Sequence, residues 1–578
     1  MTSAENSSLS SAPNPLTKTN GPKLVTDWET IAARKCEDRA NRLKPYPHWS
    51  LGDLAPAPSH KNVTSLVHAR LTDRERSFLA SDVTDLAQLL AAKECTAVEV
   101  ITAFCKATYA AQELTNCVTE VMFTQALARA HELDAHILQT GEVVGPLHGI
   151  PVSIKDHICV KGEDTATGFV TWAGRSVAEE DAAIVQILRA AGAVIYVKTT
   201  NPQSLFVFET FSDIYGNTTN PYNRSLTSGG SSGGEGALIR SRASLLGVGT
   251  DVGGSIRYVY DYIFNSNFLF ISKSQRPIGV VWTVRVQTLE PQAPRFRLGK
   301  TMSGDGKHCR SHRRVVRWPT PLEISDSKPW NIDFSTLCMP WNPVPAETAA
   351  KEKLVLGFFI DDGALVAASH EVIDWTPMDH MEAFELTAKL YMLDGGEDIR
   401  DILAESGEPP IPQAASILPD PKEGECTLGQ SWAMNTRRDQ FRARALKHWN
   451  ETALRTEGGR PADAILSPAA PTLALPHGTT RWIGFTAYWN LLDLPVVVFP
   501  SGKPFDASTW DAAAGSSSDQ LRNPIEEFIK TQWKPETFDG APIGLQLVGR
   551  RWQEENLFAM LKQVEDAVAQ FEKSSTVS

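Results

Sequence analysis

The sequence predicts an α/β protein, a mixed, mostly parallel central sheet covered by helices on both faces and preceded by a helical N-terminal region. Two textures predict it. From about residue 26 to 140 apolar residues recur at helical spacing, and beyond 140 short apolar runs alternate with helix-like stretches. Strand and helix in alternation is the pattern of parallel strands joined by helical crossovers.

The helical region opens with TDWETIAARKCEDRANRL and continues through DLAQLLAAKE, where Leu86, Leu89 and Leu90 share one face. Thr96 and Glu99 have the spacing of a capping box at the start of the next helix. The strands follow as GIPVSIKD and AVIYVKT, separated by DAAIVQILRAAG, whose helix stops at Gly192. DAILSPAAPTLA, LPVVVFPSG and APIGLQLVGRR extend the sheet. The expected organisation is a disordered N-terminus over 1–25, a helical region over 26–140, an α/β domain over 141–572 containing an irregular stretch at 258–326, and a disordered tail at 573–578.

Composition narrows the partners. With 42% hydrophobic, 21% charged and 8% aromatic residues the chain reads as an ordinary globular protein, and its net charge of −12 offers no general attraction to nucleic acid or anionic lipid. The eight cysteines are scattered without a C-x-x-C pair, which disfavours both a disulfide framework and a zinc site. Tyr258 to Ile271 is the longest apolar-aromatic stretch, too short and too polar to span a bilayer. The start lacks a basic segment followed by an apolar run, so the expected location is cytoplasmic.

Chemistry concentrates in TSGGSSGGEGALIRSRASLLGVGTDVGGSIR, Thr227 to Arg257. Its glycines surround Ser231, Ser232 and Ser255, and such a run can aim successive N–H groups at one point to cradle an anion. A flexible linker would not continue into apolar ALI and LLGVGT, and a phosphate loop would carry G-K-[ST] after the glycines. A serine nucleophile needs a base, but the window holds no histidine. Lys155 ends the run GIPVSIKD. A strand carrying it inward would lower its pKa toward the neutral, proton-accepting form, whereas a strand end reaching solvent would leave an ordinary charged lysine. The residues alone leave both readings open.

The ordered motifs GIPVSIKD, GGSSGGEGA and GTDVGGSIR, with 24 residues separating Ser231 and Ser255 in numbering, resemble the amidase signature family. The likeness covers roughly 26–257 and 326–572, and its tone is that of fungal acetamidases and general amidases. The resemblance implies an amidase-signature fold and a triad of Lys155, Ser231 and Ser255, with a cis peptide between Ser231 and Ser232. It implies an oxyanion and substrate-binding site of Ser231 and the Val252, Gly253, Gly254 and Ser255 N–H groups, a supporting role for Ser232, Thr250 and Asp251, and Leu205 near the acyl group. Asp251 also reads as a solvated turn residue. No cofactor and no metal are implied. The expected partner is a small-molecule amide, acetamide above all, with a homodimer as an admissible assembly; a fatty-acid amide hydrolase-like enzyme is the alternative.

Residues 258–326 depart from the family's pattern. Between Arg295 and Arg317 stand eight Lys/Arg and one acid. That reads as a solvated insertion or as a coding fault, and Arg310, Arg313, Arg314 and Arg317 would be expelled from a core, leaving a gap in the sheet and little or no activity. A second expectation concerns Ala364 to Ser369, six residues that are too few for the crossover returning a chain to a parallel neighbour.

Overall fold

The computed structural model describes residues 27–259, 269–270, 353–358, 370–501, 504–510 and 524–575. The expectations for residues 1–25, for the basic cluster from Arg295 to Arg317, for Ala364 to Ser369 themselves and for most of 258–326 lie outside the described residues.

The N-terminal layer comprises α1 (Trp28–Leu43), α2 (Asp73–Ala80), α3 (Val83–Ala91), α4 (Ala97–Thr115) and α5 (Phe123–Thr140). The expected capping box starts α4: Glu99 N–H donates to Thr96 Oγ1 at 3.1 Å, and Thr96 N–H donates to Glu99 Oε2 at 2.9 Å. Leu86 and Leu90 are buried and Leu89 packs against the same core. The region is not helical throughout. Val118–Val121 forms strand β1, because its four buried residues pair antiparallel with the strand Val194–Thr199. Tertiary pairing overrides the helical texture on either side.

The strands that follow are β2 (Pro151–Lys155), β3 (Val194–Thr199), with the helix α6 (Ala183–Ala190) between them, and two small hairpins, β4 (Phe211–Ser212) with β5 (Gly216–Asn217) and β6 (Thr219–Asn220) with β7 (Asn223–Thr227). Then come β8 (Leu246–Val248), β9 (Leu269–Phe270), β10 (Val355–Phe358), β11 (Glu371–Asp374), β12 (Ala464–Pro468), β13 (Val496–Pro500) and β14 (Gly544–Val548). Among the described residues they form two five-stranded sheets, ordered β1-β3-β2-β8-β9 and β11-β10-β12-β14-β13. In the first, β3, β2, β8 and β9 are parallel; in the second, β14 runs antiparallel to both neighbours.

Both faces of the second sheet are covered, as the apolar runs predict. Ile465, Val496 and Val548 pack on one face with Trp489 and Phe441, while Leu466, Val497 and Leu547 pack on the other with Leu557 and Leu561. Successive residues of a strand point to opposite faces, so a run such as Val496–Val498 is apolar without interruption.

Three expectations need correction. The parallel return is made: β10 pairs in register with β11, Val355 opposite Glu371, and the connection spans residues 359–370 rather than Ala364 to Ser369 alone. Twelve residues reach the minimum for such a crossover. The place beside β8 is not empty either, since Leu269–Phe270 pairs there, Leu246 opposite Leu269. Finally, the helix Glu554–Ser575 runs past the expected boundary at 572, because EKSS contains no glycine or proline to stop it.

Candidate active site

Parallel pairing brings the chemistry to one end of the first sheet's central strands. β2 lies between β3 and β8, with Lys155 opposite Thr199 and Ile154 opposite Val248. The C-terminal ends of the three strands therefore lie together, and Thr250 and Asp251, just past β8, emerge beside Lys155. Ser231 and Ser232 precede α7 (Gly233–Arg240), which packs against β2 and β8.

Lys155 is 0% exposed. Its Nζ lies 2.7 Å from Ser231 Oγ and 3.1 Å from Thr250 Oγ1. Burial pushes its pKa down to about 7, against the opposing pull of Asp251 and Glu235. The inward reading of Lys155 is the one the fold adopts. Glu235 lies behind the amine on α7, accepting from Ser153 Oγ and Thr199 Oγ1, each at 2.7 Å. Burial pushes its carboxyl up to about 7, with the two hydroxyls and Lys155 opposing.

The serines are joined through backbone. Ser232 N–H donates to Ser255 O at 3.1 Å, and Ser232 Oγ lies 3.3 Å from Thr250 O. Ser255 is buried, and among the described residues no hydrogen bond joins its hydroxyl to that of Ser231. The cis peptide is Gly230–Ser231, one bond earlier than expected. Gly230 packs so close to Glu209 that a Cβ would lie 2.6 Å from its N, while the Ser232 N–H is turned to Ser255.

Asp251 is not a solvated turn residue. It is fully buried, and its Oδ1 accepts from Gly254 N–H at 2.9 Å, Arg257 Nη2 at 2.9 Å and Asn490 Nδ2 at 3.1 Å. Its Oδ2 accepts from Arg257 Nε at 3.0 Å and Ile256 N–H at 3.2 Å. Burial opposes ionisation, but the Arg257 guanidinium and these donors outweigh it and hold the carboxyl below its usual range. Gly254, expected among the oxyanion donors, thus has its N–H committed to Asp251. Among the described residues the expected set narrows to Val252, Gly253 and Ser255.

The supports that sequence reasoning missed come mostly from the second half of the chain. Arg257 Nη1 donates to Thr486 O at 2.9 Å and to Gln546 Oε1 at 3.4 Å, and Arg257 also bonds Asn490 Oδ1. Thr486 Oγ1 donates to Gly253 O at 2.6 Å, and Tyr391 Oη donates to Val252 O. A signal was present: Thr486 and Asn490 are polar residues one helical turn apart in the otherwise apolar GFTAYWNLL, and Gln546 interrupts β14. Leu205, expected near the acyl group, is half-buried in a left-handed conformation, φ 65°.

The sequence model of the Amidase family matches residues 99–258 and 362–558. The acetamidase of Emericella nidulans is 33% identical over 570 residues, covering 94% of this chain and 98% of that protein. The acetamidase of Aspergillus oryzae is 32% identical over 569 residues, covering 93% and 98%. Among solved structures, a fatty acid amide hydrolase superposes with a TM-score of 0.71 at 25% identity, over 94% of this chain and 99% of that one. No helix among the described residues is long and apolar enough to cross a membrane.

Proposed function

The chain belongs to the amidase signature family and is an amide-hydrolysing enzyme; from that premise we propose that it works through an acyl-enzyme on Ser255, with Ser231 as proton shuttle and Lys155 as base. One observation carries the reading: a wholly buried lysine whose Nζ lies 2.7 Å from the Ser231 hydroxyl. A lysine amine titrating at about 7 is neutral in a large fraction of molecules at neutral pH and accepts a proton without a histidine.

In the proposed cycle the Ser255 oxygen adds to the amide carbonyl while its proton passes to Ser231 Oγ and the Ser231 proton passes to Lys155 Nζ. The tetrahedral oxyanion is stabilised by backbone N–H groups of the loop. Collapse breaks the C–N bond, and the proton returns through Ser231 to the departing nitrogen, which leaves as ammonia or an amine. Water then adds to the ester by the same relay, releasing the carboxylate and restoring Ser255. The relay requires a Ser255–Ser231 hydrogen bond that forms with substrate bound, since catalytic hydrogen bonds are often completed only in that complex.

The proposed substrate is a small aliphatic amide such as acetamide. Aromatic rings crowd the loop: Phe208 Cζ lies 3.5 Å from where a Cβ on Gly253 would stand, and the Phe206 and Tyr391 rings are 5.7 Å apart. The similarity to a fatty acid amide hydrolase favours the second reading, a long acyl chain. Ammonia release from acetamide, with Ser255→Ala alongside, tests the proposal. The variant is expected to lose kcat by about 10⁴–10⁶ and to lose fluorophosphonate labelling, with an unchanged circular-dichroism spectrum. Labelling that survives removes Ser255 from the role, and faster turnover of long-chain amides than of acetamide selects the second reading.

A further inference from the structure

In a trans peptide unit the C=O and the following N–H point in opposite directions, so holding one end aims the other. The loop after β8 is held in this way unit by unit. The carbonyl of unit 252–253 accepts from Tyr391 Oη, which leaves the Gly253 N–H pointing away. Unit 253–254 is consumed at both ends, by Thr486 Oγ1 at 2.6 Å and by Asp251 Oδ1 at 2.9 Å. The carbonyl of unit 254–255 accepts from Tyr258 N–H at 2.7 Å, which leaves the Ser255 N–H. Thr486 reaches this position because residue 254 is glycine: φ is 129°, and a Cβ there would overlap the threonine hydroxyl.

We propose that Tyr391 and Thr486 are positioning residues that turn the loop so that the Gly253 and Ser255 N–H groups converge on the substrate oxyanion. The inference rests on the reading of Ser255 as nucleophile. Tyr391 ends the helix His380–Tyr391, and Thr486 lies in the helix Gly484–Leu492. Tyr391 fixes the plane of unit 252–253, and a hydrogen bond accepted at that carbonyl strengthens the Gly253 N–H of the same unit as a donor, while Thr486 fixes the plane of unit 253–254, which lies between the two donor units. Such donors act on the charge that develops in the transition state and little on the bound amide.

The test pairs kinetics with trifluoroacetone, whose adduct on a serine mimics the tetrahedral oxyanion, and with acetate as a ground-state comparator. Tyr391→Phe is expected to lower kcat by about 10–100-fold per fluorophosphonate-labelled site and to weaken trifluoroacetone by the same factor. KM and acetate inhibition stay within about twofold. Thr486→Val is expected to show the same paired loss, and Thr486→Ser, which keeps the hydroxyl, to recover it. Trifluoroacetone affinity that matches wild type in Tyr391→Phe overturns the proposal, whether kcat is retained or falls only with the count of labelled sites. If Tyr391→Phe yields no folded protein, Thr486→Val decides by the same two readouts. Labelling that persists in Ser255→Ala instead removes the nucleophile reading beneath it, a failure visible before any variant of the two positioning residues is made.

Discussion

Lys155 and Arg257 are both completely buried near the C-terminal ends of the first sheet's strands, and the fold treats them in opposite ways. Arg257 has a carboxylate beside it, with Asp251 accepting from both Nε and Nη2, and further acceptors at Thr486, Asn490 and Gln546. Lys155 has two hydroxyls and no carboxylate within ion-pair distance among the described residues. Burial penalises charge in both places, but only the arginine is compensated. One pocket is therefore structural, a paired charge that shapes a loop. The other leaves an amine that exchanges a proton near neutrality.

If that contrast is right, neutralising the lysine costs function and neutralising the arginine's partner costs stability. Lys155→Met is expected to lower kcat by at least about 10⁴, since members of one catalytic unit fail together. Its unfolding free energy near pH 7 is expected to change by less than about 1.5 kcal/mol, the range for volume-conserving core changes. The sign of the pH dependence follows. The folded pKa of Lys155 lies below its unfolded value, so between about 7 and 10.4 the unfolded chain binds more protons and stability rises with pH; the Met variant loses that rise. Chemical denaturation at a series of pH values measures it, and a parallel dependence in both proteins would break the contrast.

Asp251→Ala leaves a guanidinium buried without its carboxylate and is expected to cost about 3–5 kcal/mol in the same denaturation experiment. A loss below about 1 kcal/mol would show that the loop relaxes to admit water. The smallest effect sharpens the lysine side. Ionised Glu235 raises the Lys155 pKa, so Glu235→Gln is expected to lower it further and to move the rising limb of the pH–rate profile, expected to climb through about 7 in the wild type, to lower pH by less than about one unit. An unmoved limb would separate Glu235 from the base.

The same contrast explains what could be read from sequence. The Gly/Ser run around Ser231 and Ser255 stood out because it is compact and its composition has few other uses, while the roles proposed for the two serines and for the loop from Thr250 to Ser255 came from the family resemblance. The strand carrying Lys155 was legible because a run covered on both faces is apolar without interruption. Arg257 stood inside the same window but showed no role, since, Asp251 apart, its partners lie 229 to 289 positions away and no local pattern announces them. Tyr391 and Thr486 act through a hydroxyl on a backbone carbonyl, an interaction any tyrosine or threonine could make anywhere in the fold. The cis bond was expected one residue late because the motif marks a neighbourhood rather than a bond. β1 was hidden because four residues paired to a distant strand carry too little periodicity to outweigh the helices around them.

The anchoring of Arg257 on Gln546 also sets an order of events during synthesis. Lys155, the serines and the glycine loop leave the ribosome early, but the last acceptor for the guanidinium arrives 289 residues after it. At elongation rates of about 5–20 residues per second, the interval is roughly 15–60 s. Throughout it the nascent chain carries the proposed triad and lacks the Gln546 end of the frame around it. We expect hydrolytic competence to begin only when β14 has taken its place between β12 and β13, so an incomplete polypeptide does not expose a working nucleophile to the amides around it.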